Sequence, residues 1–294
     1  MITKSIMGGI DMANNWCENM PDLVSHEFEI YDNCTPTVIM DQFHGHSFYE
    51  LRLIKNGLIH HYCENSSVVL GPGAVSILPP GLFHRGTAVS PEKQISNYTR
   101  LLLYVSVDLV RSLDSDRFCL SEVFDSFGSA GTRHIHMDMD ELDSYYLPLQ
   151  EIVRRNRDDD PLTHLITRAQ VELVLARMAE RILQLDEPAA PEEDTSLVPR
   201  VIAHINANLS ENLSLDSLAE QFFVSKFYLS HQFKQYTQLS LHQYVLTRRM
   251  MHAQLLLRSG EAPTSVAAAC GYHEYSSFYK AFLRETGQSP RTFE

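Results

Sequence analysis

Apolar and polar residues follow two different rhythms along this chain. Between about residues 37 and 110, short apolar runs at 48–54, 58–63, 75–78 and 101–107 are separated by turns rich in glycine and proline. Runs of this length and spacing are typical of the strands of a small barrel or sandwich. From about residue 140 onwards, apolar residues recur every three or four positions, which predicts helices. The pattern predicts an α+β chain with a β-barrel first and helices after it.

Two helices are predicted to follow the barrel. The first has an apolar stripe from Leu142 to Leu149, and the second begins after Pro161 and carries an apolar series: Leu162, Leu165, Ile166, Ala169, Leu173, Ala176 and Leu183. The segment 186–194 then holds two prolines and five acidic residues, a composition typical of a solvated linker. We therefore predict a domain at 1–185, a linker at 186–197 and a second domain at 198–294.

The second domain carries one helix-turn-helix pattern twice. The matching core positions are Ala219 with Ala267, Leu229 with Phe278, and Phe233 with Phe282. The offset is 48 residues at the alanine and 49 at the later positions, so the two copies differ by one residue in the turn. A helix-turn-helix presents the start of its second helix to the major groove of DNA. The repeat therefore predicts an all-α domain that binds double-stranded DNA.

Residues of the two recognition helices that face away from the core are the candidates for DNA contact. Those in the first turns are expected to contact base edges: His231, Tyr275, Ser276 and Lys280. Basic residues are expected to contact phosphates: Lys226, Lys234 and Arg284. Phe227 and Tyr279 either contact thymine methyl groups or pack against the protein, and Ser230 completes the outward face.

The net charge of −13 is unevenly distributed. From Val198 to Glu294, nine Lys and Arg residues stand against seven Asp and Glu residues, a balance of +2. The remainder has 15 basic and 30 acidic residues, a balance of −15. This asymmetry fits an acidic regulatory half joined to a mildly basic DNA-binding half.

The five cysteines are odd in number and form no C-x-x-C pair. No signal peptide is evident, and no apolar run reaches the roughly 18–20 residues that a membrane span requires. We therefore expect a cytoplasmic protein without disulfides and without a membrane partner.

The second domain resembles the DNA-binding domain of AraC/XylS-type transcription regulators. The resemblance rests on the closing stretch, from Gly271-Tyr272 through Phe278 and Phe282 to the Thr-Gly-Gln-Ser-Pro sequence at 286–290. It implies two recognition helices about one DNA turn apart, entering successive major grooves. Leu283 stands where the family usually has lysine, which would remove one phosphate contact.

A second set of polar residues lies in the predicted barrel. His44, His46, Glu50 and Arg52 fall on one face of a strand, because alternate residues of a strand share a face. Burying such residues is costly unless they meet a ligand, a metal or each other. His84 follows a Gly73–Pro79–Gly81 series and would bring a third histidine from a neighbouring strand.

These two stretches resemble the two motifs of the cupin barrel, in which three histidines and a glutamate bind a divalent metal. The second cupin motif normally ends in an asparagine. That asparagine is absent here, because Arg85-Gly86-Thr87-Ala88 follows His84. AraC-type regulators commonly carry such a barrel as their effector-binding domain, often without metal. We expect a metal-free effector pocket formed by five residues: His44, His46, Glu50, Arg52 and His84.

Two alternatives for this cluster stay open. One is a genuine site for a divalent metal, with His44, His46, Glu50 and His84 as ligands. The other is a hydrogen-bonded structural cluster with the ligand elsewhere. Secondary pocket candidates are Tyr49, His60 and Tyr62.

The sequence as a whole indicates a DNA-binding transcription regulator controlled by a small effector, and not an enzyme. Family analogy makes sugars the first effector candidates. The resemblance also implies a homodimer paired through the helices after residue 140, and contact with RNA polymerase fits an activator. The rival hypotheses are a metal-dependent cupin enzyme fused to a DNA-binding module and a constitutive architectural DNA-binding protein.

Overall fold

The computed structural model describes residues 27–35, 42–64, 66–89, 98–128, 134–155, 161–185 and 195–293. Strands dominate the first part of the chain: β1 (Phe28–Thr35), β2 (Tyr49–Asn56), β3 (Ile59–Cys63), β4 (Ser66–Leu70), β5 (Ala74–Leu78), β6 (His84–Ala88), β7 (Tyr98–Val105) and β8 (His134–His136). Four helices accompany them: α1 (Val107–Ser112), α2 (Leu120–Gly128), α3 (Met139–Arg155) and α4 (Pro161–Leu183). The predicted strand run extended too far, because Ser106 caps a helix at Val107 by accepting a hydrogen bond from the Leu109 amide.

The strands form two antiparallel sheets that face each other. One has the order β1-β7-β2-β5-β8, and the other has the order β4-β3-β6. In β2, Glu50 and Arg52 point between the sheets, while Leu51 and Leu53 point outward and join the largest apolar core. That outer face is covered by α2, α3 and α4. Tyr49 lies on the helical side, where its hydroxyl donates to Asp125 at 2.8 Å.

Helix α4 covers the sheet with a face different from the one that its apolar pattern suggested. The buried side chains include Val171, Leu175 and Met178. The apolar series predicted from the sequence is exposed along its whole length: Leu162, Leu165, Ile166, Ala169, Leu173, Ala176 and Leu183. Helix α4 therefore has two apolar faces, one against the sheet and one in contact with solvent.

The C-terminal domain consists of helices: α5 (Leu197–Ala207), α6 (Leu215–Gln221), α7 (Lys226–Thr237), α8 (Leu241–Arg258), α9 (Pro263–Ala269) and α10 (Tyr275–Thr286). The side chains of Ser214, Ser225 and Ser240 cap α6, α7 and α8 by accepting hydrogen bonds from backbone amides of the first turn. The pairs α6–α7 and α9–α10 are the two helix-turn-helix motifs, and α8 connects them.

The predicted fold class, α+β with two domains, is confirmed. Of the predicted linker 186–197, residues 186–194 lie outside the described residues, and α5 begins at Leu197. None of the helices within the described ranges combines the length and apolarity needed to cross a membrane.

Candidate functional site

Glu50 lies at the centre of a buried polar cluster between the two sheets. Its Oε1 accepts hydrogen bonds from Arg52, at 2.7 Å from Nη2 and 3.2 Å from Nε. Its Oε2 lies 3.2 Å from His46 Nε2 and 3.6 Å from His84 Nε2. The His44 ring is 4.3 Å from the His84 ring, centroid to centroid. The structure thus brings all five predicted pocket residues together.

The cluster holds one charged pair, Glu50 with Arg52. Burial alone would raise the pKa of Glu50, but the Arg52 guanidinium and the neighbouring His46 and His84 hold that pKa well below its usual range. Burial lowers the pKa of His44 well below its usual value, and the pKa of His84 is lowered for the same reason. At neutral pH the carboxylate of Glu50 is therefore ionised and balanced by Arg52.

Several buried polar atoms around this pair have no hydrogen-bond partner among the residues that the structure describes: His44 Nε2, Arg52 Nη1, Ser76 Oγ, His84 Nε2 and Tyr98 OH. An unsatisfied buried donor or acceptor costs about 1–3 kcal/mol. Ser76 stands opposite Arg52 in the β2–β5 register, so their polar atoms belong to the same interior. A ligand with several hydrogen-bonding groups would satisfy these atoms.

Sequence analysis missed three residues of this interior. His61, Ser76 and Tyr98 are each buried to 1% exposure or less. The missed signal was alternation in β3, where residues 59, 61 and 63 are buried and the residues between them are not. The secondary candidates His60 and Tyr62 lie on the outer face of β3, where Tyr62 packs under the Arg85 guanidinium at 4.2 Å. The prediction of Tyr49 as a secondary pocket residue was also wrong, because its side chain faces the helices.

The donor set fits a divalent metal in part. One ligand atom from each of His46, Glu50 and His84 lies within 4.8 Å of the others, and imidazole with carboxylate suits transition metals. However, Oε1 of Glu50 is already bound to the Arg52 guanidinium, which neutralises the carboxylate. A metal ion there would have to share this carboxylate with a buried cation.

The first recognition helix, α7, exposes every residue that the sequence assigned to DNA contact. Lys226, Phe227, Ser230, His231 and Lys234 are all exposed, while Leu229 and Phe233 of the same helix are fully buried. Lys226 forms an ion pair with Asp216 at 2.7 Å. The ring of Phe227, 83% exposed, stacks on His231 at 6.4 Å. This apolar ring in solvent is unusual for a packing residue and suits a contact with a base.

The second recognition helix, α10, exposes Ser276, Tyr279, Lys280 and Arg284. Tyr275 differs from the expectation, because its side chain is half-buried and its buried hydroxyl has no hydrogen-bond partner within the described ranges. The Tyr275 ring packs against Phe278 at 6.0 Å, so it helps to hold the helix in place. The outward residues that remain form a polar face with two basic side chains.

Both domains match known families. Residues 25–169 match the AraC-like ligand binding domain, and residues 218–294 match a helix-turn-helix domain. The chain belongs to the AraC family of transcription regulators. This AraC-family chain is 32% identical over 141 residues to the HTH-type transcriptional activator RhaR of Klebsiella pneumoniae, covering 48% of each chain. It is 28% identical over 117 residues to RhaR of Escherichia coli K12, covering 40% of this chain and 42% of the relative. It thus spans about half the length of these relatives.

The chain is also similar to solved structures. The DNA-binding domain of AdpA in complex with a target DNA is 27% identical and covers 32% of this AraC-family chain and 86% of its own, with a TM-score of 0.31. The structure of ToxT from Vibrio cholerae is 11% identical and covers 90% of this chain and 96% of its own, with a TM-score of 0.36.

Proposed function

We propose that this protein is a sequence-specific DNA-binding transcription regulator whose activity is controlled by a small molecule bound between the two sheets. The observation that carries the proposal is the pairing of two features in one chain. One is a domain with two exposed recognition helices, and the other is a buried interior with unsatisfied polar atoms. A DNA-binding protein without an effector would have no use for such an interior.

The effector that suits this interior best is a neutral polyhydroxylated molecule, such as a sugar. Arginine binds either carboxylates or vicinal diols, and the charge of Arg52 is already balanced by Glu50. The remaining atoms of Ser76 and Tyr98 offer hydroxyl groups. Phe48 stacks on His46 at 4.1 Å and gives the site an aromatic flank for the C–H face of a sugar ring. The pocket should therefore prefer uncharged ligands over acids of similar size.

The protein works without a resident metal and is not an enzyme in this account, because Arg52 supplies the positive charge beside Glu50. The alternative is a metal-dependent cupin enzyme, which the His46–Glu50–His84 grouping favours. Elemental analysis of protein purified without added metal decides between them. We expect substoichiometric metal in the natural chain. Stoichiometric metal in the natural chain would favour the enzyme. Arg52→Met removes the competing cation, so this variant should bind Zn²⁺ more tightly than the natural chain.

Two copies of the chain pair through the exposed face of α4. Leu162, Leu165 and Leu173 are each about 60% exposed, and such an apolar stripe on one helix suits burial against a second copy. Pairing also strengthens DNA binding, because two tethered modules raise their effective concentration. In sedimentation experiments, Leu165→Glu with Leu173→Glu should yield a monomer, and His164→Glu, an exposed control on the same helix, should not. A dimer that survives the double substitution would place the contact elsewhere.

The DNA-binding part of the proposal is tested by selecting duplexes from a random pool with the full chain. We expect enrichment of a defined sequence. Lys280→Ala should weaken binding to it and lower the salt dependence by about one counterion. Arg291→Ala removes the same charge outside both recognition helices and serves as the control. An unenriched pool would contradict the proposed function, and equal losses in both variants would remove Lys280 from the interface.

We further propose that this regulator acts in the cytoplasm and contacts RNA polymerase. Contact with RNA polymerase is supported by the two RhaR relatives, which are transcriptional activators.

A further inference from the structure

In the described part of the chain, the barrel shares an apolar core with the first of the two helix-turn-helix motifs. Phe43 and Phe83, both from the barrel, are part of the apolar core of α5, α6, α7 and the first half of α8. Among the described residues, the core of the second motif consists of residues from the C-terminal domain alone. The effector-binding half and the first motif therefore share one apolar core.

One face of α8 lies against the barrel. Tyr244, Arg248, Met251 and Leu255 recur at spacings of four, three and four residues, which places them on one side of the helix. The Tyr244 ring packs edge-on against Phe83 at 5.1 Å, and Arg248 lies over the same ring at 5.0 Å. Arg248 also donates to the Gly81 carbonyl and pairs with Glu64 at 3.2 Å.

Close approach of the two domains requires a missing side chain at Gly45. A Cβ atom there would lie 2.8 Å from Met251 Cε and 2.9 Å from the Phe83 ring. The contact is therefore tightly packed, and a single methyl group would disturb it.

The end of the first recognition helix is held by the same part of the barrel. The Phe43 amide donates to the Thr237 carbonyl at 3.0 Å, and the Phe43 ring stacks on Tyr236 at 5.8 Å. These contacts involve the C-terminal end of α7. The N-terminal turns of α7, with Phe227 and His231, stay exposed. The barrel therefore fixes the position of α7 without covering the residues that face DNA.

The residues that contact the first motif alternate with those of the polar cluster. His44 and His84 are paired through two backbone hydrogen bonds, His44 N to His84 O at 3.0 Å and His84 N to His44 O at 2.9 Å. Each histidine points into the cluster, and the residue before it, Phe43 or Phe83, packs against the C-terminal domain. Because neighbouring residues of an extended segment point to opposite sides, a backbone shift at this bridge moves Phe43 and Phe83 together with the histidines.

We propose that this His44–His84 bridge is the mechanical link through which the effector site sets the orientation of the first motif, while the second motif is not coupled to it directly. The inference rests on the proposed function, since it assigns the regulation of that same site. A ligand that hydrogen-bonds to Nε2 of His44, or that draws His84 Nε2 away from Glu50, would reposition the bridge. It shifts the population of α7 orientations only if it binds one of them more tightly.

Amide hydrogen exchange on the full chain tests this link without any ligand or DNA. Glu50→Gln removes the charge at the centre of the cluster, and we expect exchange about tenfold faster at 236–238 and along the barrel-facing part of α8, with no change in α10. Normal protection at 236–238 in a folded Glu50→Gln protein would overturn the proposal. An equal increase in α10 would also overturn it, because the effect would then be global.

A second pair of variants probes the contact itself. Gly45→Ala should accelerate exchange around Met251. Gly71→Ala places a Cβ equally close, at 2.8 Å, to Cδ2 of Leu58, an exposed residue of the β2–β3 turn, and it should leave α7 and α8 unchanged. Unchanged α8 exchange in Gly45→Ala would mean that the contact is absent in solution, and the link would be refuted. If the chain shows the predicted exchange pattern but enriches no duplex, the proposed function is refuted and the structural link is not.

Discussion

The two helix-turn-helix motifs share a sequence skeleton but differ in the residues that surround them. The first motif shares its core with the barrel and has serine caps on both of its helices. The second has its own core, and neither Ala262 nor Glu274 caps its helices with a side-chain hydrogen bond. The turns also differ, with Phe223 at φ 55° in the first and Gly271 at φ 74° in the second. The two motifs thus share their buried skeleton and differ in their turns, caps and neighbours.

The largest effects should come from the buried aromatic anchors. Phe233→Ala and Phe278→Ala each remove a fully buried ring and should lower the free energy of unfolding by about 3–5 kcal/mol in denaturant titrations. Phe233 packs on Tyr244 at 5.3 Å, and Tyr244 packs on Phe83 of the barrel. Only Phe233→Ala should therefore also loosen the barrel contact, as seen by hydrogen exchange around Phe43. Equal loosening in both variants would mean that the second motif is coupled to the barrel as well.

Gly271→Ala should be the next most damaging change. A Cβ atom at Gly271 would lie 2.5 Å from Arg249 Nη2 and 2.8 Å from the Leu209 carbonyl oxygen, in a backbone conformation that favours glycine. We expect a loss of roughly 1–3 kcal/mol in unfolding free energy. Gly260→Ala has a similar positive φ but no atom within 4 Å of its Cβ, so it separates the backbone strain from the clash. Equal losses in the two variants would show that the clash is relieved at no cost.

Removing a helix cap should have a smaller effect that distinguishes the motifs. Ser225→Ala removes the side-chain oxygen that accepts from the Tyr228 amide and should cost about 1 kcal/mol. Glu274→Ser supplies a cap that α10 lacks and should stabilise the second motif by a similar amount. Thermal unfolding of both variants measures the difference. A neutral Glu274→Ser would indicate that the start of α10 is not limited by its cap.

The smallest effect is expected at the other turn. Phe223 is 95% exposed and adopts a left-handed conformation that costs an L-residue roughly 1–2 kcal/mol. Glycine relieves this strain but adds about 0.5–1 kcal/mol of unfolded-state entropy. Phe223→Gly should therefore raise stability by roughly 0–1.5 kcal/mol in the same unfolding assay. Clear destabilisation would imply a packing role for the Phe223 ring in solution.

Much of the fold and part of the site could be predicted because the relevant signals are local. The caps at Ser214, Ser225 and Ser240 and the buried positions of α7 follow from residue type and helical spacing. Alternation in β2 likewise placed Glu50 and Arg52 on one face.

Other features depend on long-range packing that spacing does not encode. The apolar series of α4 gave the helix but not which of its two apolar faces meets the sheet. Alternation in β3 separates residues 59, 61 and 63 from residues 60 and 62, but which set faces the interior depends on how β3 packs across from β2. The contacts of Phe43 and Phe83 with α7 and α8 join residues about 150 positions or more apart, and no local pattern indicates them.

The central claim is that occupation of the barrel changes DNA binding, and the most direct test is a titration. The affinity of the full chain for its selected duplex is measured against a panel of sugars, each first checked for binding by its effect on thermal unfolding. We predict that a sugar that binds the barrel changes the DNA affinity by about 5–150-fold, the usual range of allosteric coupling. The change should be lost in Glu50→Gln. A sugar that stabilises the barrel yet leaves the DNA affinity unchanged would contradict the account.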